Sequence, residues 1–147
     1  MDTIDKELIQ LLEKDARQSS RVLAEKLNIS PTNVRRRIGK LIRDKVIRIV
    51  AFVDPTKVGF PLGVVVSLDV ELEKLGDAIN FLDARPEVRV LATTTGLFNI
   101  SATCQFLSME DLSEFTRNEL SKIKGVRRSE IAMIMRREKA HYLFGVL

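Results

Sequence analysis

The stretch from Ser30 to Arg43, Ser-Pro-Thr-Asn-Val-Arg-Arg-Arg-Ile-Gly-Lys-Leu-Ile-Arg, constrains this chain more than any other. Its opening is that of a helix. The Ser30 hydroxyl can cap the first turn, and Pro31 stands where a missing N–H costs nothing. Val34, Ile38, Leu41 and Ile42 then recur at helical spacing and define one apolar stripe. Off that stripe lie Thr32, Asn33, Arg35, Arg36, Arg37, Lys40 and Arg43, five of them cations, with no acid before Asp44. Such a helix can lie against a polyanion, or it can be an ordinary helix with a solvated basic face. The residues before it decide between the two.

Ile4, Leu8, Leu11 and Leu12 mark a first helix over about residues 3–14, capped by Asp2 or Thr3. Asp15 to Ser20 reads as a turn. A second, short helix spans about Ser20–Leu27, with Leu23, Ala24 and Leu27 inward. Asn28 tolerates the left-handed conformation that a sharp turn needs, and Ile29 plugs the corner. Two short helices joined tightly, the second basic, form a helix-turn-helix, and DNA becomes the expected partner.

The charge distribution agrees. Residues 1–50 hold twelve Lys and Arg against seven Asp and Glu, whereas the remaining 97 hold twelve against thirteen. The surplus therefore belongs to the N-terminal third, as expected for a nucleic-acid module joined to a near-neutral domain. The single cysteine, Cys104, cannot build an intrachain disulfide framework. No apolar run approaches the roughly 20 residues that span a bilayer. With Met1-Asp2-Thr3-Ile4-Asp5 showing no secretory pattern, the expected location is the cytoplasm, without membrane contact.

After Lys45 the apolar period drops to two. Ile47, Ile49, Ala51 and Val53 alternate as a strand, and the breaker-rich 54–61 stretch follows as a linker. Leu62, Val64, Val66, Leu68 and Val70 alternate next, before a helix through Leu75, Ala78, Ile79 and Leu82. Val88, Val90, Ala92 and Thr94 read as one face of a strand ended by Gly96. Ile100, Ala102, Cys104 and Phe106 face one way on the next. Ser108 caps a helix carrying Leu112, Phe115, Leu120 and Ile123, and 126–137 is the last strand. The order βαββαβ predicts a ferredoxin-like domain. Val65, Leu91, Ile131 and Met133 are expected on the sheet face away from the helices, where a second subunit would cover them. The fold class is thus α+β, with a helix-turn-helix domain (1–46), a strand and linker (47–61) and a ferredoxin-like domain (62–147).

The chain resembles the leucine-responsive/asparagine regulator (Lrp/AsnC) transcription factors along essentially its whole length. The resemblance is carried by Ile4-Asp5-Lys6-Glu7-Leu8-Ile9-Gln10-Leu11-Leu12, by Asp15-Ala16-Arg17 and by 23–30, Leu-Ala-Glu-Lys-Leu-Asn-Ile-Ser. It continues through Val34-Arg35-Arg36-Arg37-Ile38, Leu41, Val46-Ile47-Arg48, Asp54-Pro55 and Gly59. It implies a winged-helix-like domain and an effector-sensing, oligomerising domain, with dimers formed by strand exchange and often stacked into octamers that bend or wrap DNA. It also implies that a small effector, commonly an amino acid, binds between dimers near the turn Thr94-Thr95-Gly96-Leu97-Phe98-Asn99. Two departures stand out. Lys45 replaces the usual Gly before Val-Ile, and Leu97 and Asn99 replace residues that are often acidic, removing partners for an effector's ammonium group.

The site expected from these readings is DNA-binding. Thr32, Asn33 and Arg36 are the candidates for base edges, Arg35, Arg37, Lys40 and Arg43 for phosphates, and Ser30 for the first turn. Thr94, Thr95, Gly96, Leu97, Phe98 and Asn99 are the candidate effector site, against the plainer reading of a hairpin at a subunit interface. No catalytic residue, metal ligand or cofactor is assigned. The chain has one histidine, His141, which beside Tyr142 reads as a surface or subunit-contact residue, and it lacks a P-loop, a Gly-x-Gly-x-x-Gly and paired Cys/His. An enzyme on this architecture would leave the basic helix unexplained. A protein that coats DNA without an effector is the other alternative.

Overall fold

The computed structural model describes residues 1–51 and 53–138. They divide into two compact units, the second spanning Val53–Glu138, and each unit has its own apolar core.

The first unit is three helices, α1 (Thr3–Lys14), α2 (Ser20–Leu27) and α3 (Pro31–Arg43). Each begins on a side-chain cap. Asp2 accepts from the Asp5 amide and Asp5 reaches back to the Asp2 amide, a reciprocal capping box. Ser19 accepts from Val22 and Ser30 from Asn33, removing orphan donors from α2 and α3. Between them Asn28 adopts φ 51°, ψ 45°, and its N–H closes the end of α2. Leu8, Ile9, Leu12, Leu23, Ala24, Leu27, Val34 and Leu41 form the buried core. Burying a leucine such as Leu8, wholly inaccessible here, typically stabilises by about 1.5–3 kcal/mol.

Two expectations fail in this unit. Ile42 was expected in the apolar stripe but is 45% exposed, because it stands one residue beyond Leu41 and is rotated away from Val34. The expected strand over 47–53 does not form among the described residues of that stretch. Ile47 packs against the helical core, but 47–51 lie in neither helix nor strand. A strand exists only by pairing, and among the described residues this unit contains no strand to pair with. Val46, Ile49 and Val50 consequently stay exposed.

In the second unit, the breaker-rich segment is an ordered 3-10 turn, Pro55–Val58, capped by Asp54 and closed by Gly59 at φ 92°. The order then runs β1 (Leu62–Val70), α4 (Leu75–Asp83), β2 (Val88–Thr93), β3 (Ile100–Phe106), α5 (Met109–Glu114) and β4 (Val126–Met133). The last strand ends four residues earlier than expected. The strands form one antiparallel sheet in the order β2-β3-β1-β4, the ferredoxin-like arrangement. Val64, Val66, Leu68 and Val70 of β1 and Ile100, Ala102, Cys104 and Phe106 of β3 are buried on one face with Ala78, Leu82, Leu112, Phe115 and Ile123.

The register corrects the expected open face. Leu91 pairs with Ala102, Ile131 with Val66 and Met133 with Val64, so all three belong to the helix-covered side. Only Val65, paired with Thr103 and Ala132, lies on the open side as expected. The cause in β2 is a bulge between Val88 and Val90, which reverses the side-chain alternation so that Val88 and Leu91 share the core face. The open face instead mixes small groups, Gly63, Ser67, Ser101, Thr103 and Ala132, with Val65, Val90 and Gln105 and with the charged Asp69, Arg128 and Glu130.

Candidate nucleic-acid interface and sensing turn

With Val34 and Leu41 turned into the core, the helical repeat fixes what α3 shows outside. Thr32, Arg36, Gly39 and Arg43, spaced i, i+4, i+7 and i+11, form a row opposite the buried stripe. Arg35 and Lys40 flank that row. All the cations in this set are exposed, and among the described residues none of them forms an ion pair with a carboxylate. Arg35 donates to the Thr32 hydroxyl at 3.2 Å and Arg36 to the Asn33 amide oxygen at 2.9 Å. These neutral pairings hold the guanidinium groups along the helix without cancelling their charge. Ser30 serves as the cap, with its oxygen on the Asn33 N–H at 3.2 Å.

Arg37 differs from its neighbours. Its Nη1 lies 2.7 Å from Asp2 and 2.7 Å from Asp5, and its side chain is only 15% exposed. The hydrogen bond to Asp5, and then that to Asp2, holds the guanidinium firmly in its charged form. Asp2 is held below the usual carboxylate range, first by the Asp5 amide and next by Arg37. Arg37 was expected on phosphate. Instead it joins α3 to the capping box of α1, with its charge already met by two carboxylates. No periodicity could have revealed this, because the partners lie 32 and 35 residues away.

At the end of α3 the chain turns through Lys45 at φ 55°. This is the left-handed region where a glycine is favoured. The departure noted in the sequence is therefore a lysine held in a glycine-like conformation.

The turn between β2 and β3 brings Thr94 to Asn99 together but gives them internal work. The Thr94 hydroxyl donates to the Phe98 carbonyl at 2.8 Å, and the Thr94 amide donates to the Asn99 carbonyl at 3.1 Å. Asn99 faces β1, where its Oδ1 accepts from the Val70 amide at 3.0 Å and its Nδ2 donates to the Val70 carbonyl at 2.7 Å. Its carboxamide thus acts as one more rung of the ladder. Gly96 turns at φ 106°, Thr95 and Leu97 are exposed and Phe98 is half-buried. The tip offers backbone N–H groups and apolar surface, and none of its six side chains is ionisable.

Cys104 is a core residue. Burial, with the Glu87 charge second, pushes its thiol up to about 12, which leaves no thiolate for chemistry near neutrality. His141 and Tyr142 lie outside the described residues.

Residues 1–48 match a family model described as winged helix-turn-helix DNA-binding, and residues 63–144 match one described as the Lrp/AsnC ligand binding domain. The transcriptional regulator LrpA of Pyrococcus horikoshii is 32% identical over 140 residues, covering 95% of this chain and 99% of that protein. The structure of Escherichia coli AsnC superposes with a TM-score of 0.89 at 20% identity, covering 97% of each chain. A Neisseria meningitidis transcriptional regulator solved in complex with L-methionine gives a TM-score of 0.87 at 21% identity, over 97% of this chain and 94% of that one.

Proposed function

The chain belongs to the Lrp/AsnC family of transcriptional regulators, and from that premise we propose that it reads specific DNA sequences by placing α3 in the major groove. The observation that carries this is the outward face of α3. Its four cations, Arg36 and Arg43 in the row and Arg35 and Lys40 beside it, are exposed and form no ion pair with a carboxylate among the described residues. Thr32, Asn33 and Arg36 take base edges, while Arg35, Lys40 and Arg43 take phosphates. The place of Arg36 in the outward row opposite Val34 and Leu41 favours this division, with Arg35 and Lys40 to either side of that row. Arg37 is left to the fold.

The protein acts as a homodimer or a higher assembly such as an octamer, in the cytoplasm. The open sheet face, where the exposed Val90 lies with Val65 among polar and small side chains, suits a second copy, and a two-fold protein suits a palindromic site. The turn Thr94–Asn99 contributes to an effector site between subunits. By analogy with the methionine complex of the Neisseria protein, an amino acid is the effector class considered first. Because the turn supplies no carboxylate, an amino acid's ammonium group needs a partner from another protomer. The same neutral turn favours a second reading, a DNA-coating protein that responds to no effector.

Selection of genomic fragments at near-physiological salt, with and without a panel of amino acids, separates these readings. A palindrome-like consensus is the expected result. Uniform recovery that falls steeply with salt points to a coating protein, and failure to retain any DNA overturns the proposal.

A further inference from the structure

We infer that Gly39 is a positioning residue for DNA recognition, the point at which a strand of the duplex approaches the α3 backbone most closely. The inference rests on the DNA-reading assignment of α3.

Glycine inside a helix is costly relative to alanine, because its backbone loses more freedom on folding and it contributes no side chain. Gly39 stands in the middle of the thirteen-residue α3, away from either cap. A glycine so placed normally serves a close approach by another part of the chain. None exists here, since a Cβ at Gly39 would meet nothing within 4 Å. Nor does its backbone need glycine, because its φ is not among the positive ones. The fold on its own gives no reason for glycine at this position.

The surroundings supply one. Gly39 is the third member of the outward row, between Arg36 and Arg43, with Arg35 one turn before it and Ile42 one turn after. Ile42 is an apolar side chain left half-exposed on an otherwise basic face. Together they make a notch whose floor is bare backbone, whose wall is aliphatic and whose rim is cationic. That combination fits duplex DNA. The arginines draw the phosphates in, the missing side chain lets a sugar or base edge reach the helix backbone, and Ile42 meets a deoxyribose or a thymine methyl. A small anion would use the rim and have no need of the floor or the wall.

The test uses the full-length protein with Gly39→Ala and Gly39→Gln, which add a short and a long uncharged side chain while improving helix propensity. Each variant is melted, and its affinity is measured against the tightest duplex from genomic selection and against a scrambled duplex, across a salt series. The expected result is a melting temperature at or above that of wild type, together with weaker binding. The loss should be about tenfold for alanine, the size of one good base contact, and larger for glutamine. The slope against salt should stay unchanged, because no phosphate contact is removed. Wild-type binding matched by both variants overturns the inference and leaves the DNA assignment standing. A wild type that binds neither duplex overturns the assignment and the inference with it.

Discussion

The outward face of α3 and the turn Thr94–Asn99 are both exposed and both rich in hydrogen-bonding groups, yet they differ in what those groups are doing. On α3 the guanidinium groups of Arg35 and Arg36 lean on neutral oxygens of their own helix and keep their charge for a partner. In the turn, Thr94 and Asn99 have their side chains occupied in closing the hairpin and in extending the β1–β3 ladder. Exposure alone therefore says little about a binding site. The useful distinction is between polar groups whose charge is met inside the chain and those whose charge is not. Arg36 and Arg37, adjacent in sequence, fall on opposite sides of it.

The largest effect expected from breaking this contrast is Arg37→Ala. It leaves Asp5, itself buried, without its cation, and a loss of about 2–3 kcal/mol in N-terminal-unit stability is expected by denaturant melting. Acid should act in the same direction. Asp2 is held below its ordinary value of 3.8 in the folded chain. Its contribution is therefore complete above pH 3.8 and fades as the pH falls below it, and Arg37→Ala should blunt that fade. A variant as stable as wild type would mean that the two ion pairs contribute nothing.

Asn99→Asp comes next, at about 1–3 kcal/mol, because a carboxylate cannot donate to the Val70 carbonyl and would be repelled by it. Thermal melting of the full-length protein checks it. If the loss is small and effector response improves, the turn is a sensor first and a clamp second. The smallest expected change is a gain. Lys45→Gly relieves the left-handed strain, and about 1 kcal/mol of added stability is expected. Phosphate contact by that lysine would show as a simultaneous weakening of binding to all DNA sequences.

Local signals were legible in the sequence, and they gave the first unit almost residue by residue. The caps at Asp2 and Ser30, the left-handed Asn28 and the stripe through Val34 and Leu41 each depend on neighbours within a few positions. The strand order of the second unit was legible for the same reason. What escaped depends on partners far along the chain. Arg37 answers to Asp2 and Asp5, and Asn99 to Val70, 29 residues away. Alternation alone puts Leu91 on the wrong face, because a bulge leaves no mark in an alternating pattern. Helical spacing counts Ile42 as core, but the buried stripe is narrower than its hydrophobic content suggests. Gly39 carried a signal that composition passes over, a helix breaker in mid-helix with nothing packed against it.

The most direct test of α3 as the reading element is the affinity of wild type and Arg36→Ala for the selected duplex and for its scrambled sequence, at one salt concentration. A loss of about 1–3 kcal/mol on the selected duplex, with the scrambled one little affected, is the predicted result. An equal loss on both duplexes, or none on either, would contradict it.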